Sequence, residues 1–306
     1  MKVRIGTRAS KLARIQSAQI GSQLEQAGHV VETIVIRTAG DRSRKPFAAI
    51  GAPGVFVREI EAALLAGRID LAVHSYKDLP AQGTAGLVVA SVPKRLDPAD
   101  LLLTRRQDAL RSGLLQLPAA ARVGTAAKRR EVWLHHWRPD LKVLLLRGNL
   151  NTRLRRLEHG DFDAIVIAAA GLDRLQSLES GVAPPFQVMT RIRLDPEVFV
   201  PAPAQGALAL QIREHDRSTR ALVAGFNHPE SERQVRAERA LLRRVDGGCN
   251  LPFGAWCRSV AGGGLEMIAM LGSGDSVLRA RGQGREAEAL AEKLWRQLCE
   301  TPGDQR

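Results

Sequence analysis

Cysteine, aromatic residues and long apolar runs are all scarce in this chain of 306 residues. The cysteines number three, Cys249, Cys257 and Cys299, and none has metal-ligand spacing to another cysteine or histidine, so neither a disulfide framework nor a zinc site is indicated. The longest uncharged apolar stretch, "AIVIAAAGL" at Ala164 to Leu172, is far shorter than the roughly 20 residues of a membrane span. The opening "MKVRIGTRAS" lacks the apolar run of a signal peptide. We therefore expect a cytoplasmic protein with no membrane partner and no bound metal.

Aromatic residues make up only 4% of the chain, whereas the formal net charge is +13. Between Arg122 and Arg156, ten basic residues stand against two acidic ones. Such a surplus of positive charge calls for an anionic partner. Nucleic acid would require aromatic stacking partners among the arginines, and no RNA-binding or zinc-finger motif is present. Nucleic acid is therefore a minority interpretation, and an acidic surface and a small polycarboxylate both stay open as partners.

Short β-rich runs alternate with helical periodicity, which predicts an α/β fold. The first cycle is a strand at Lys2 to Ile5, a helix from about Ser10 to Ala27 and a strand at Val30 to Arg37. The alternation of strands and helices begins again after Asp100, which indicates a second domain of similar build. A smaller third domain follows it. The predicted domains are residues 1–95 with 200–217, residues 98–197, and residues 220–306.

Polar or basic loops follow the ends of four predicted strands: "GTRAS", "SYKDLP", "GTAAKRR" and "RGNLNTR". In open α/β sheets, ligands bind beyond the carboxyl ends of the strands, where helix N-termini and backbone N–H groups favour anions. The loops carry the cations Arg8, Lys77, Arg129, Arg130, Arg147 and Arg153. Arginine suits bidentate binding of carboxylates, so an anion cleft between the first two domains is predicted, with solvated helix faces as the alternative.

The stretch "VHSYKDLP" carries the carboxylate of these basic loops, Asp78. A carboxylate there could move protons and stabilise a cation, with adjacent Lys77 tuning its pKa. From this loop alone, a turn aspartate before Pro80 is the favoured interpretation. His74, at the end of the strand, is interpreted as a buried hydrogen-bonding group rather than a base.

Cys249 lies in "DGGCNLP", an irregular loop flanked by Gly248 and Pro252. Such surroundings disfavour a packed, buried thiol and leave two roles open, covalent attachment and nucleophilic turnover. For Cys257 and Cys299 we expect small buried side chains.

Several motifs, in order along nearly the whole chain, resemble the family of hydroxymethylbilane synthases, also called porphobilinogen deaminases. They are "RIGTRASKLARIQ", "GVFVREIEAALLAGRIDLAVHSYKDLP", "VGTAAKRR", "LRGNLNTRL", "DAIVIAAAGLDRL", "PAPAQGAL" and "AERALLRRVDGGCNLPFGA". The resemblance implies three α/β domains, the first two built like periplasmic solute-binding proteins with a cleft between them. It implies a monomer that condenses four porphobilinogens head to tail, with loss of ammonia, and releases the linear tetrapyrrole by hydrolysis.

The resemblance also implies site residues. The primer of the family is a dipyrromethane cofactor held by a thioether, which by motif falls on Cys249. Asp78, with Lys77, falls on the catalytic position that helps expel the amine and stabilises the cationic azafulvene. The other matched positions bind the carboxylates of cofactor and substrate: Arg8, Ser10, Gln16, Lys77, Thr125, Arg129, Arg130, Arg147, Arg153 and Arg174.

The chain departs from the family pattern at six positions, and three of them replace a side-chain donor. The departures are Ala126 and Ala127 for two serines, Pro53 for a lysine, Tyr76 for methionine, Ala204 for glycine and Gln211 for an acidic residue. Each lost donor weakens anion binding by roughly 1 to 3 kcal/mol. Two alternatives therefore stay open: a divergent paralogue with another pyrrole substrate or no activity, and a non-enzymatic anion- or solute-binding protein.

Overall fold

The computed structural model describes residues 1–38, 57–105, 115–177, 189–245, 251–273 and 276–300. Its strands are β1 (Lys2–Arg8), β2 (Val30–Ile36), β3 (Leu71–Ser75), β4 (Leu87–Ser91), β5 (Asp100–Thr104), β6 (Arg122–Thr125), β7 (Lys142–Leu145), β8 (Ala164–Ala168), β9 (Thr190–Arg193), β10 (Leu208–Arg213), β11 (Phe253–Val260), β12 (Gly264–Ser273) and β13 (Ser276–Gly284). Its helices are α1 (Lys11–Gln26), α2 (Arg58–Leu65), α3 (Lys128–Trp137), α4 (Leu150–Glu158), α5 (Ala169–Gln176), α6 (Arg217–Ala224), α7 (Pro229–Val245) and α8 (Ala287–Glu300). No helix in these ranges is long and apolar enough to cross a membrane.

The chain divides into two compact units. The first comprises Met1–Leu96 with Gly206–Arg236, and the second comprises Asp97–Gln205 with Ala237–Arg306. The alternation of strands and helices confirms the predicted α/β class. The predicted separation of a third domain within the second unit remains a proposal, which the two separate sheets of that unit support.

The first unit is built on a five-stranded sheet in the order β2-β1-β3-β10-β4. Strand β1 runs parallel to β2 and β3, whereas β10 runs antiparallel to β3 and β4. Apolar side chains of β1 and β3 pack against Ile20 and Leu24 of α1 on one face. On the other face, Ile60 and Leu64 of α2 pack against Ala72. Burial on both faces explains why the central strands are nearly continuous apolar runs.

The second unit repeats this plan in the order β7-β6-β8-β5-β9. Strand β6 is parallel to β7 and β8, and β5 is antiparallel to β8 and β9. In the strand order of each of these two sheets, three mutually parallel strands come first. A strand antiparallel to them comes next, and the last strand is antiparallel to that one. The carboxyl ends of the three parallel strands lie at the same end of the sheet, which is where open α/β sheets bind ligands.

The remaining sheet of the second unit is the antiparallel meander β11-β12-β13. Along β12, Met267 and Ala269 face a core formed with α7 and α8, whereas Ile268 and Met270 face the core around Trp133 of α3. Alternate side chains of a strand point to opposite faces, so β12 is buried on both sides.

The described elements that the sequence analysis did not predict include β9, β11, α5 and α6. The strand β11 contains Cys257, which is 1% exposed. The expectation that Cys257 is a small buried side chain is therefore confirmed. The same expectation was wrong for Cys299, which is exposed. The buried stripe of α8 consists of Leu290, Ala291, Leu294 and Leu298, and Cys299 follows that stripe on the solvent side.

Candidate active site

A small pocket opens at the carboxyl ends of the parallel strands of the first sheet. Its lining includes Arg8 from the end of β1, Gln16 from α1, and His74, Ser75 and Asp78 from the end of β3 and the turn after it. Three of the predicted site residues, Arg8, Gln16 and Asp78, therefore come together here. The parallel pairing of β1 with β3 brings the ends of these two strands side by side.

The N-terminal half of α1 contributes Ala13 and Gln16 to the lining of this pocket. Ser10 is the N-cap of α1, and its hydroxyl accepts a hydrogen bond from the backbone N–H of Ala13 at 3.3 Å. Gln16 is 3% exposed, and its Nε2 donates to the Ser75 hydroxyl at 2.9 Å. The amide of Gln16 thereby ties α1 to the end of β3.

Lys77 and Asp78 lie in a short 3₁₀ turn, Tyr76–Asp78, that continues β3. The backbone N–H of Tyr76 donates to the carbonyl of Ala207 at 3.0 Å, so the start of the turn is held by the segment that leads into β10. Lys77 and Asp78 are both half-buried. The turn before Pro80 predicted from sequence is confirmed, and the carboxylate in it lines the pocket.

His74 is 5% exposed, and its Nε2 lies 2.9 Å from Oε1 of Gln211 on β10. The expectation that His74 is a buried hydrogen-bonding group is confirmed. Burial is the main cause that lowers the pKa of His74 to about 4. The hydrogen bond with Gln211 raises that pKa by less, and the charge of Arg8 lowers it slightly further.

A second group of predicted residues meets in the second unit, around the carboxylate of Asp100 at the start of β5. Arg129 donates from Nη2 to Oδ2 of Asp100 at 2.8 Å and from Nη1 to the Val200 carbonyl at 2.7 Å. Arg130 donates from Nη2 to Oδ1 of Asp100 at 2.8 Å and from Nη1 to the Val166 carbonyl at 3.0 Å. Gln205 also donates to Oδ1, at 2.7 Å. The two arginines thus belong neither to an open loop nor to a solvated helix face.

This arginine cluster, defined as Arg129, Arg130 and Asp100, lies in the interior of the second unit. Both arginines are 5% exposed and Asp100 is fully buried. Burial by itself raises the pKa of Asp100, but the charges of Arg129 and Arg130 outweigh burial and hold that pKa well below its usual range. The three side chains together carry one net positive charge. Nε of Arg130 is buried and finds no hydrogen-bond partner among the described residues.

Thr125 ends β6, and its hydroxyl accepts from the backbone N–H of Ala127 at 3.2 Å. Ala127 is the N-cap of α3 and supplies no side-chain hydrogen bond to the helix. Serine at an N-cap accepts from the first turn of the helix, which alanine cannot do. The structure thus places the departure at Ala127 on the helix terminus that carries Arg129 and Arg130.

The remaining predicted cations lie farther along the second unit. Arg147 follows β7 and is half-buried, and Arg153 on α4 donates from Nε to the Gly148 carbonyl at 2.9 Å. Arg174, in the last turn of α5, is 6% exposed, and burial lowers its pKa to about 10. Parallel β6 and β7 bring Thr125 and the start of the Arg147 loop to one sheet edge.

Two predicted positions, Cys249 and Pro53, lie outside the described residues. Conversely, sequence reasoning missed Asp100, Gln205 and Ser75 as partners of the site. Asp100 stands in "DPADLLLT" with no motif to mark it, and Gln205 follows it by more than a hundred residues. Only the folded chain joins them.

Two family models cover most of the chain. Residues 3–221 match "porphobilinogen deaminase, dipyromethane cofactor binding domain", and residues 233–300 match "porphobilinogen deaminase, C-terminal domain". The chain belongs to the porphobilinogen deaminase family.

Relatives from several bacteria agree with this family. The porphobilinogen deaminase of Syntrophobacter fumaroxidans is 42% identical over 292 residues, which cover 94% of this chain and 90% of that protein. The porphobilinogen deaminase of Lachnospira eligens is 40% identical over 305 residues, covering 97% and 99%. Among solved structures, the periplasmic VFT2 domain of Bordetella pertussis BvgS has 15% identity and a TM-score of 0.42, covering 73% of this chain and 85% of that one. A likeness as weak as this last one supports no functional argument.

Proposed function

We propose that this chain is a hydroxymethylbilane synthase. It condenses four porphobilinogen molecules head to tail onto a covalently bound dipyrromethane primer and releases the linear tetrapyrrole by hydrolysis. In each condensation the C–N bond of an aminomethyl group breaks, ammonia leaves, and a C–C bond forms to the next pyrrole, which loses a proton. The observation that carries the proposal is the pocket that joins the Asp78 carboxylate to Arg8 and Gln16 at one sheet edge.

Asp78 is proposed as the catalytic carboxylate, with Lys77 beside it. Loss of the amine leaves a positive charge on the substrate, and a carboxylate at the pocket wall stabilises that charge. The same carboxylate can take up the proton that the attacking pyrrole loses. Arg8 and Gln16, which line the pocket, and Ser10, the N-cap of α1, are proposed to bind the substrate carboxylates.

The residues of the second unit fit a polyanionic primer. A dipyrromethane supplies a reactive pyrrole end and two carboxylates on each ring. The arginine cluster has one net positive charge and a buried Arg130 N–H with no partner among the described residues, both of which favour an anion nearby. Arg147, Arg153 and Arg174 are proposed to bind further carboxylates, and Cys249 is proposed as the covalent attachment point.

The mass of the intact protein tests primer and attachment together. The purified chain is expected to exceed its sequence mass by one dipyrromethane and to convert porphobilinogen. The excess mass is expected to vanish in Cys249→Ala and to persist in the matched control Cys257→Ala, because Cys257 is a buried core thiol. An unmodified wild-type protein that leaves porphobilinogen unchanged would contradict the proposal.

The same preparation separates the alternatives. A divergent paralogue would carry the extra mass but turn over porphobilinogen slowly, and the double variant Ala126→Ser/Ala127→Ser would then restore the rate. A binding protein would carry neither the extra mass nor the activity. The predicted cytoplasmic location stays a prediction, to be checked by fractionation of expressing cells.

A further inference from the structure

The carboxylate of Glu238 is buried in the middle of α7, the helix that precedes Cys249 in the chain. Glu238 is 0% exposed. Its Oε2 accepts a hydrogen bond from the backbone N–H of Ala204 at 2.6 Å, and its Oε1 accepts from the backbone N–H of Cys257 at 2.8 Å. Because Cys257 belongs to β11, one side chain joins α7 to the strand that follows Cys249 and to the segment before β10.

Ala204 has a backbone conformation that alanine seldom adopts. Its φ is +61°, in the left-handed region that favours glycine, and the residue is completely buried. Because the methyl group makes this conformation unfavourable, contacts with the surrounding structure must hold it. The hydrogen bond from the N–H of Ala204 to Glu238 is such a contact.

Gln205, the next residue, carries the connection to the arginine cluster. It is 0% exposed, and its Nε2 donates to Oδ1 of Asp100 at 2.7 Å. Asp100 in turn accepts from Arg129 and Arg130, at 2.8 Å each. Since φ and ψ are the soft angles of the backbone, a change of φ at Ala204 rotates the chain that follows and moves the side chain of Gln205 away from Asp100.

We propose that Glu238 is a positioning residue for the primer. Its carboxylate holds the backbone at Ala204 so that Gln205 keeps the arginine cluster in place. The inference rests on the proposed function, in which the arginine cluster binds primer carboxylates and Cys249 holds the primer covalently. Glu238 is hydrogen-bonded to β11 and lies on α7, the two elements that flank Cys249, so it also fixes those elements relative to the cluster.

The chemistry of the acceptor explains why a carboxylate is required at this position. Two backbone N–H groups, of Ala204 and Cys257, point at the two oxygens of Glu238. A carboxylate offers only acceptors, whereas an amide has one oxygen and an NH2 group that donates. Glu238→Gln therefore keeps the size of the side chain but leaves one of the two buried N–H groups facing another donor.

Hydrogen exchange of the Gln205 side-chain amide tests the positioning without any turnover. This amide is buried and bonded to a carboxylate, so slow exchange is expected by NMR at pH 7 in protein labelled with nitrogen-15 glutamine. In Glu238→Gln, the exchange of this amide is expected to become about tenfold faster, because its partner Asp100 is no longer held opposite it. The Gln205 signal is assigned as the one that Gln205→Met removes.

Steady-state kinetics test the link to the primer. The proposed substrate ligands belong to the first unit, whereas Glu238 acts on the proposed primer ligands of the second. With porphobilinogen, and with rates normalised to the fraction of protein that carries the primer mass, kcat of Glu238→Gln is expected to fall about tenfold while KM stays within about twofold of wild type. A purely structural role would reduce the amount of folded protein but not the kcat of the loaded fraction.

The double variant Glu238→Gln/Ala204→Gly tests the backbone conformation directly. Glycine adopts a positive φ without the cost that alanine bears, so the backbone depends less on the carboxylate. Relative to Ala204→Gly alone, the double variant is expected to lose only about two- to threefold in kcat. Equal losses of kcat in the two backgrounds would show that Glu238 does not act through Ala204, which would overturn the proposal.

Glu266→Gln is the matched control. Glu266 is 6% exposed, lies on β12 next to the strand of Cys257, and forms ion pairs with Arg258 and Arg281. The same substitution thus removes a buried charge from the same sheet, away from the contacts of Ala204 and Glu238. It is expected to lower the free energy of unfolding while the exchange of the Gln205 amide and the kcat of the loaded fraction stay as in wild type.

Unchanged exchange of the Gln205 amide in Glu238→Gln would overturn the positioning role, and faster exchange with a wild-type kcat would overturn its link to the primer. Gln205→Met breaks the connection at its other end, so it tests the proposal even where Glu238→Gln does not fold. There the same loss of kcat with little change in KM is expected, and a wild-type kcat would contradict the proposal. A wild-type protein with neither primer mass nor turnover refutes the proposed function instead, while the exchange rates still decide whether Glu238 positions Gln205.

Discussion

At the scale of single residues, Asp78 is the carboxylate that lines the pocket at the carboxyl ends of β1 and β3. Its turn is fixed by the hydrogen bond from Tyr76 N–H to Ala207, and its neighbours in the pocket are Arg8, Gln16 and the neutral His74. The loop alone favoured an ordinary turn aspartate, and that turn is present. The pocket supplies the argument for chemistry that the local sequence lacks.

Asp78→Asn tests the catalytic role. The amide keeps the shape of the side chain but neither carries charge nor accepts a proton, so kcat is expected to fall by about 10² to 10⁴-fold. Steady-state turnover of porphobilinogen measures the loss, while intact mass is expected to show the cofactor still attached. The matched control is Asp161→Asn, whose carboxylate pairs with Arg156 on the surface and is 42% exposed; it should retain turnover. Near-normal kcat in Asp78→Asn would mean that the role is misassigned.

At the scale of elements, Asp100 joins parts of the second unit that are distant in sequence. The carboxylate at the start of β5 accepts from two arginines in the first turn of α3 and from Gln205. Arg129 and Arg130 in turn donate to carbonyls of Val200 and Val166. The residues proposed to bind the primer are therefore positioned by the same contacts that hold α3 on the sheet.

Asp100→Asn is expected to destabilise the protein by about 3 to 5 kcal/mol, because it leaves two buried guanidinium groups without their counter-charge. Urea unfolding at pH 7 measures the loss. The pKa of Asp100 is lowered by folding, so its contribution is full above the unfolded pKa of about 4 and disappears as pH falls toward the folded value. The difference between wild type and variant should therefore be constant from pH 5 to 8 and shrink below about pH 4.

The matched control for the Asp100→Asn variant is Asp163→Asn, which also removes a carboxylate that forms an ion pair with an arginine, Arg122. The Asp163 and Arg122 side chains are 42% and 43% exposed, so the change is expected to cost about 1 kcal/mol or less. Equal losses in the two variants would contradict the role assigned to burial.

At the scale of the whole molecule, the second unit joins two sheets through close contact. Strand β11 lies so near the segment before β10 that a Cβ on Gly254 would sit 2.7 Å from the Val200 carbonyl oxygen and 3.0 Å from that of Pro201. The backbone N–H of Ala255 donates to the Pro201 carbonyl at 3.0 Å. Val200 also accepts from Arg129, so this contact adjoins the arginine cluster.

Gly254→Ala is therefore expected to lower the free energy of unfolding by about 1 to 3 kcal/mol, because backbone must shift to admit the methyl group. Thermal or urea unfolding measures the change. Gly225→Ala is the control, since nothing lies within 4 Å of a Cβ built there. Unchanged stability in Gly254→Ala would contradict the close approach of β11.

The sequence by itself determined the α/β class, the basic loops at strand ends and the family motifs, because periodicity, turn residues and short motifs are local properties of the chain. It missed β9, β11, α5 and α6. It also misjudged Cys299, because burial depends on which face of an element is covered. Tertiary structure alone decided that Arg129 and Arg130 share Asp100, and that Gln211 lies between His74 and Glu61. Those partners are distant in sequence, and only strand register and helix packing bring their polar atoms within hydrogen-bond distance.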